Sequence, residues 1–137
     1  MKTRCSLLLT DTSTLYNRIN FMTLSEFYSS LGESLDAVLE RLRMESRVAK
    51  YLGLFLNDPS FSELKTAFAN NDAKMAFRAA HTLKGVAANL GLNKLSASSS
   101  ELTEDLRPEA FTANSQALFE KVEADYTAAV EGIKQLD

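Results

Sequence analysis

Cysteine is almost missing from this 137-residue chain. Cys5 stands alone, which excludes an intrachain disulfide, a Cys-X-X-Cys pair and a thiolate zinc site, and suits a reducing cytoplasm. Long apolar runs are missing as well. Lys2 and Arg4 precede Leu7-Leu-Leu9, but that patch breaks at Thr10-Asp11, too early for a signal-peptide core, and no later run approaches a bilayer span. Charge of one sign is scarce: the net charge is -3 and the fifteen Lys and Arg are dispersed, so no basic stripe exists to hold DNA or RNA. There is no Gly-X-X-X-X-Gly-Lys phosphate loop, no kinase signature set and no Gly-X-Ser-X-Gly elbow. Near the chain's only histidine, no carboxylate cluster has evident metal spacing. These absences predict a soluble, cytoplasmic protein with no cofactor of its own, no nucleic-acid partner and no membrane contact.

Glycine totals only five, no strand signal competes anywhere, and the apolar residues recur by threes and fours. Leu35, Val38, Leu39 and Leu42 form one stripe, and Val48, Tyr51, Leu52, Phe55 and Leu56 the next, before Asn57-Asp-Pro59 interrupts the chain. Thr23-X-X-Glu26 and Ser60-X-X-Glu63 read as capping boxes, Asn70-Asn-Asp72 as a turn and cap, and Asn93 as the cap of a helix carrying Leu95, Ser99, Leu102 and Leu106. Ser98-Ser-Ser100 reads as small residues that let two helices approach. Leu118, Phe119, Val122, Tyr126, Ala129, Val130, Ile133 and Leu136 make the last long stripe. The expected fold is all-α, an antiparallel up-and-down four-helix bundle with an extra short N-terminal helix or two. At 45% apolar composition it is long enough for one self-sufficient core. Residues 1–21 precede the first capping box and are expected to be a tail, non-native or poorly structured, with Met22 the natural start; the alternative is that Leu7 to Leu9 dock on the domain. Residues 22–137 are expected to form the bundle.

The central helix should run from Asp72 to Leu90, with Gly91 in the left-handed stop position. Ala76, Ala79, Ala80, Leu83, Val86, Ala87 and Leu90 share one face, and His81 lies almost opposite them. Phe77 and Arg78 sit a turn before the histidine, Lys84 and Gly85 a turn after it, and Ala88 beyond. Glycine inside a helix costs about 1 kcal/mol relative to alanine. On the outer face the gain that offsets this is room for another molecule; the alternative is a kink, with His81 an ordinary surface histidine.

His81-Thr-Leu-Lys84-Gly85, followed by Leu90-Gly91, resembles the signature of histidine-containing phosphotransfer domains. The likeness spans roughly Leu24 to Leu136, although only the His81 helix is specific. It implies that His81 carries a phosphoryl group, that Lys84 supports it electrostatically, and that Gly85 keeps space for a receiver domain, with Phe77, Arg78, Ala88 and Asn89 as docking surface. The family often places small hydroxyl or polar residues after the glycine. Here Val86-Ala-Ala-Asn89 follows, leaving Asn89 as the polar side chain available. The implied protein is a non-enzymatic carrier in two-component signal transduction, a monomer that takes phosphoryl groups from receiver domains of response regulators or hybrid sensor histidine kinases. Any magnesium ion would sit on the receiver domain.

Three rival readings remain open. The phosphoacceptor hairpin of a sensor kinase follows its histidine with an acidic residue, where Thr82 stands here, and it is an obligate dimer. A non-catalytic helical adaptor would use Phe77, Gly85 and Ala88 merely as a docking patch. A hydrolase would need a nucleophile paired with His81, which the sequence does not offer.

Overall fold

The computed structural model describes residues 22–136. Seven α-helices and no strand occur among these residues: α1 (Leu24–Ser30), α2 (Leu35–Leu42), α3 (Glu45–Phe55), α4 (Ser60–Ala69), α5 (Ala73–Asn89), α6 (Asn93–Asp105) and α7 (Ser115–Lys134). Residues 1–21, and with them the expectation of a tail, lie outside the described residues.

Local chemistry sets some of the boundaries and tertiary contacts set others. Thr23 and Glu26 form the expected reciprocal box at the start of α1, at 3.1 and 2.9 Å. Asn57-Asp-Pro59 separates α3 from α4, since proline at 59 cannot donate to a continuing ladder. The second expected box does not form. Ser60 is buried, and its backbone N–H donates instead to the Asp58 carboxylate at 2.8 Å; an aspartate two residues upstream reaches the free donor first. Asn93 also fails as a cap. Its side-chain amide donates to Glu33 Oε1 at 2.9 Å, and the Lys94 N–H donates to Glu33 Oε2 at 3.0 Å. The α6 N-terminus is thus capped from the α1–α2 turn by a carboxylate, which the helix dipole favours.

The helices assemble as a bundle. α5 packs against both α4 and α6, and α6 packs against α7. Phe61 stacks on Tyr126 at 4.1 Å and Phe68 on Phe119 at 4.5 Å, so α7 returns alongside α4 in the opposite direction. Lys121 meets Glu101 at 2.8 Å across α6 and α7. Phe27, Val48, Leu52, Leu64, Leu83, Leu95, Leu102, Leu106 and Val122 fill the interior. Ser98 and Ser99 are buried where α6 faces its neighbours, as small residues there require, and the Ser98 hydroxyl bonds back to the Leu95 carbonyl. At the far end, the Met22 N–H donates to the Gln135 carbonyl at 2.6 Å and ties the start of α1 to the end of α7.

Candidate functional site

α5 is pinned at both ends. The Asp72 carboxylate accepts from the Met75 N–H at 3.1 Å, satisfying a free donor of the first turn. At the other end the Arg41 guanidinium donates to the carbonyls of Ala88 at 2.8 Å and Asn89 at 3.3 Å, and the Tyr28 hydroxyl donates to the Leu90 carbonyl at 2.7 Å. Burial pushes the Tyr28 phenol well above its usual ionisation range, more than the nearby Arg41 charge pulls it down, so Tyr28 stays a neutral donor. Gly91 then turns the chain at φ +72 into α6.

The inner face of α5 is made of small residues. Ala76, Ala79, Ala80 and Ala87 are buried with Leu83, which lets α4 and α6 approach the α5 backbone from two sides. Val86 is only half-buried; with Leu42, Tyr51, Leu54, Phe55 and Leu90 it lines an open apolar groove beside α5. This arrangement fixes the opposite face outward and holds it on a rigid support.

His81 projects from that outer face, exposed. Phe77 is half-buried rather than free, and its ring lies 6.3 Å from the imidazole with 21° between the planes. Lys84, half-buried, and Gly85, exposed, come one turn later. A Cβ built on Gly85 meets nothing within 4 Å, and α5 runs unbroken through it. Internal packing therefore does not explain this glycine. Ala88 is exposed on the same side. Arg78 and Asn89 are exposed on the flank toward α4 and the groove; Arg78 shares a shallow polar depression with Glu63, Asp72 and Thr82, while Asn89 borders the apolar groove. The Thr82 hydroxyl bonds back to the Arg78 carbonyl at 3.0 Å.

Two charged residues of α6 and its C-terminal turn also stand here, and the sequence reading did not pick them out. Arg107 makes a two-pronged contact to Glu104, at 3.0 Å through Nε and 2.6 Å through Nη2, and its guanidinium lies 5.5 Å from the centre of the Phe77 ring. The hydrogen bond from Arg107 holds the Glu104 carboxyl below its usual range, against desolvation; the charges of Arg107, Lys84 and His81 act in the same direction. The signal that would have found them is the hairpin about Gly91. The Ser96 hydroxyl donates to the Lys84 carbonyl, and Arg107 lies over Phe77, so residues at similar distances from the turn face one another. Among the described residues no group of three or more His, Cys, Asp or Glu is placed to hold a metal ion, and no helix is long and apolar enough to cross a membrane.

The arrangement is an exposed imidazole with Arg78 one turn before it and Lys84 one turn after it, open backbone beside it and an ion pair on the adjoining helix. It can present a nucleophilic nitrogen to a large partner and stabilise an anion formed there. A family model described as Hpt domain matches residues 50–135, which covers the whole of α4, α5, α6 and α7. Comparison with curated proteins and with solved structures yields no match.

Proposed function

This chain belongs to the Hpt domain family, and on that premise we propose that it is a phosphorelay intermediate in two-component signalling, with His81 as the residue that carries the phosphoryl group. It takes that group from the aspartyl phosphate of one receiver domain and gives it to the aspartate of another. The observation that carries the reading is the pairing of an exposed His81 with an empty position beside Gly85 on the same face. Histidine is the side chain that offers a free nucleophilic nitrogen near neutral pH without a dedicated base.

In the transfer step the lone pair of one ring nitrogen forms the N–P bond as the acyl-phosphate O–P bond breaks. That bond's electrons leave on the partner's aspartate carboxylate, and the imidazole keeps its own N–H proton. Such a step depends on in-line positioning and on neutralising the equatorial oxygens. Lys84 supplies one positive charge; the remainder, with any magnesium ion, is left to the receiver domain. The protein is a carrier with no kinase chemistry of its own in this reading.

Incubation with phosphorylated receiver domains of the same cell tests it. Transfer should yield an acid-labile, base-stable phosphoramidate on this chain while the receiver loses its label. Failure with every receiver, together with stable binding to another protein, would favour the adaptor reading. Lys84→Ala should slow transfer roughly five- to tenfold, the scale of one partly screened charge at a developing dianion. Its thermal stability should move by no more than about 0.5 kcal/mol, as for most surface changes. Unchanged kinetics would assign all the charge compensation to the partner.

A further inference from the structure

The Glu104–Arg107 pair is the feature of this face that phosphoryl acceptance at His81 leaves unexplained. As an exposed i,i+3 pair, with the two side chains 58% and 56% exposed, it adds little to helix stability. Its placement is specific all the same. Arg107 is held by two hydrogen bonds to Glu104 and by the face of Phe77, and Phe77 in turn lies against the His81 ring. The carboxylate is therefore an anion within electrostatic reach of the place where a dianion would be built, and it occupies the guanidinium that lies over Phe77.

We propose that Glu104 is an electrostatic brake on phosphohistidine: it holds Arg107 in an ion pair and repels the phosphoryl group on His81, so that the group is passed on rather than stored. The inference rests on His81 being the carrier. When the N–P bond forms, the phosphoryl oxygens compete with the Glu104 carboxylate for Arg107 and for Lys84. Glu104 is held ionised by the Arg107 hydrogen bond, and the charges of Arg107 and Lys84 favour the same form, so the brake is set before the phosphoryl group arrives. Arg107 is the cation that partly releases it. Glu104 acts through the charge balance and is a positioning residue rather than a catalytic one.

The test is the equilibrium constant for transfer between a receiver aspartate and His81, measured on the full chain with two different receiver domains under conditions where little complex accumulates. Glu104→Gln should shift the equilibrium toward phosphohistidine about three- to fivefold, and Arg107→Gln should shift it away by a similar factor, the scale of one exposed charge. Arg107→Lys, which keeps the positive charge, should lie near wild type. Both shifts should be the same for the two receivers, because the constant reflects the stability of phosphohistidine and not docking, and both should shrink as salt is raised.

Opposite signs distinguish the proposal from a structural role, because either substitution breaks the same ion pair and a purely structural pair predicts equal effects. Shifts in the same direction, or none, would overturn it. A His81→Gln protein that still takes up label would instead overturn the carrier assignment, so the two failures are separable.

Discussion

Gly91→Ala should be the most damaging single-atom change in the bundle, costing about 3 kcal/mol in denaturant unfolding. Two effects add. Gly91 sits at φ +72, where a Cβ costs about 1–2 kcal/mol. The new methyl would also overlap Cγ2 of Val38, a residue that is 1% exposed and cannot move without displacing the core; overpacking of that kind costs about 1–3 kcal/mol. Because the same turn fixes the register of α5 and α6, transfer should fall with the fold. A Gly91→Ala protein as stable as wild type would show that the α5–α6 turn is not where the structure puts it.

Gly85 should behave in the opposite way. With open space where its Cβ would lie, Gly85→Ala should stabilise α5 by up to about 1 kcal/mol, and Gly85→Gln should also fold at least as well as wild type. Yet Gly85→Gln should transfer phosphoryl groups roughly a hundredfold more slowly, the scale expected when a bulky side chain holds the reacting atoms about an ångström from line. Stability rising while activity falls is the signature of a position kept bare for a partner. If both properties fell together, Gly85 would be serving the fold, and a well-folded Gly85→Gln protein with normal rates would refute the docking account.

The contrast between these glycines shows what could be read from the chain alone. The wheel around α5 was legible because its inner face is an unbroken series of small and apolar residues, which leaves only one direction for His81. Gly91 was legible too, since the apolar stripe ends immediately before it. The Thr23–Glu26 box followed from two residues three apart that satisfy each other locally. Ser60 and Asn93 misled for the converse reason. Each helix starts one residue earlier, so the Glu63 and Ser96 N–H groups they were expected to cap donate to the Pro59 and Leu92 carbonyls, while Asp58 takes the Ser60 N–H and Glu33, in a turn far away in sequence, takes the Lys94 N–H. Glu104 and Arg107 escaped notice because they reach the His81 face only after α6 folds back on α5. A contact made by tertiary register leaves no local pattern to find.

Everything proposed for this face depends on His81 being the residue that receives the phosphoryl group. Stoichiometric labelling from a phosphorylated receiver domain, run side by side on the wild-type chain and on His81→Gln with helix content checked by circular dichroism, tests it most directly. The account predicts up to about one acid-labile phosphoryl group per wild-type chain and none on a fully helical His81→Gln protein, since no second histidine exists to substitute. Label retained on His81→Gln would contradict it.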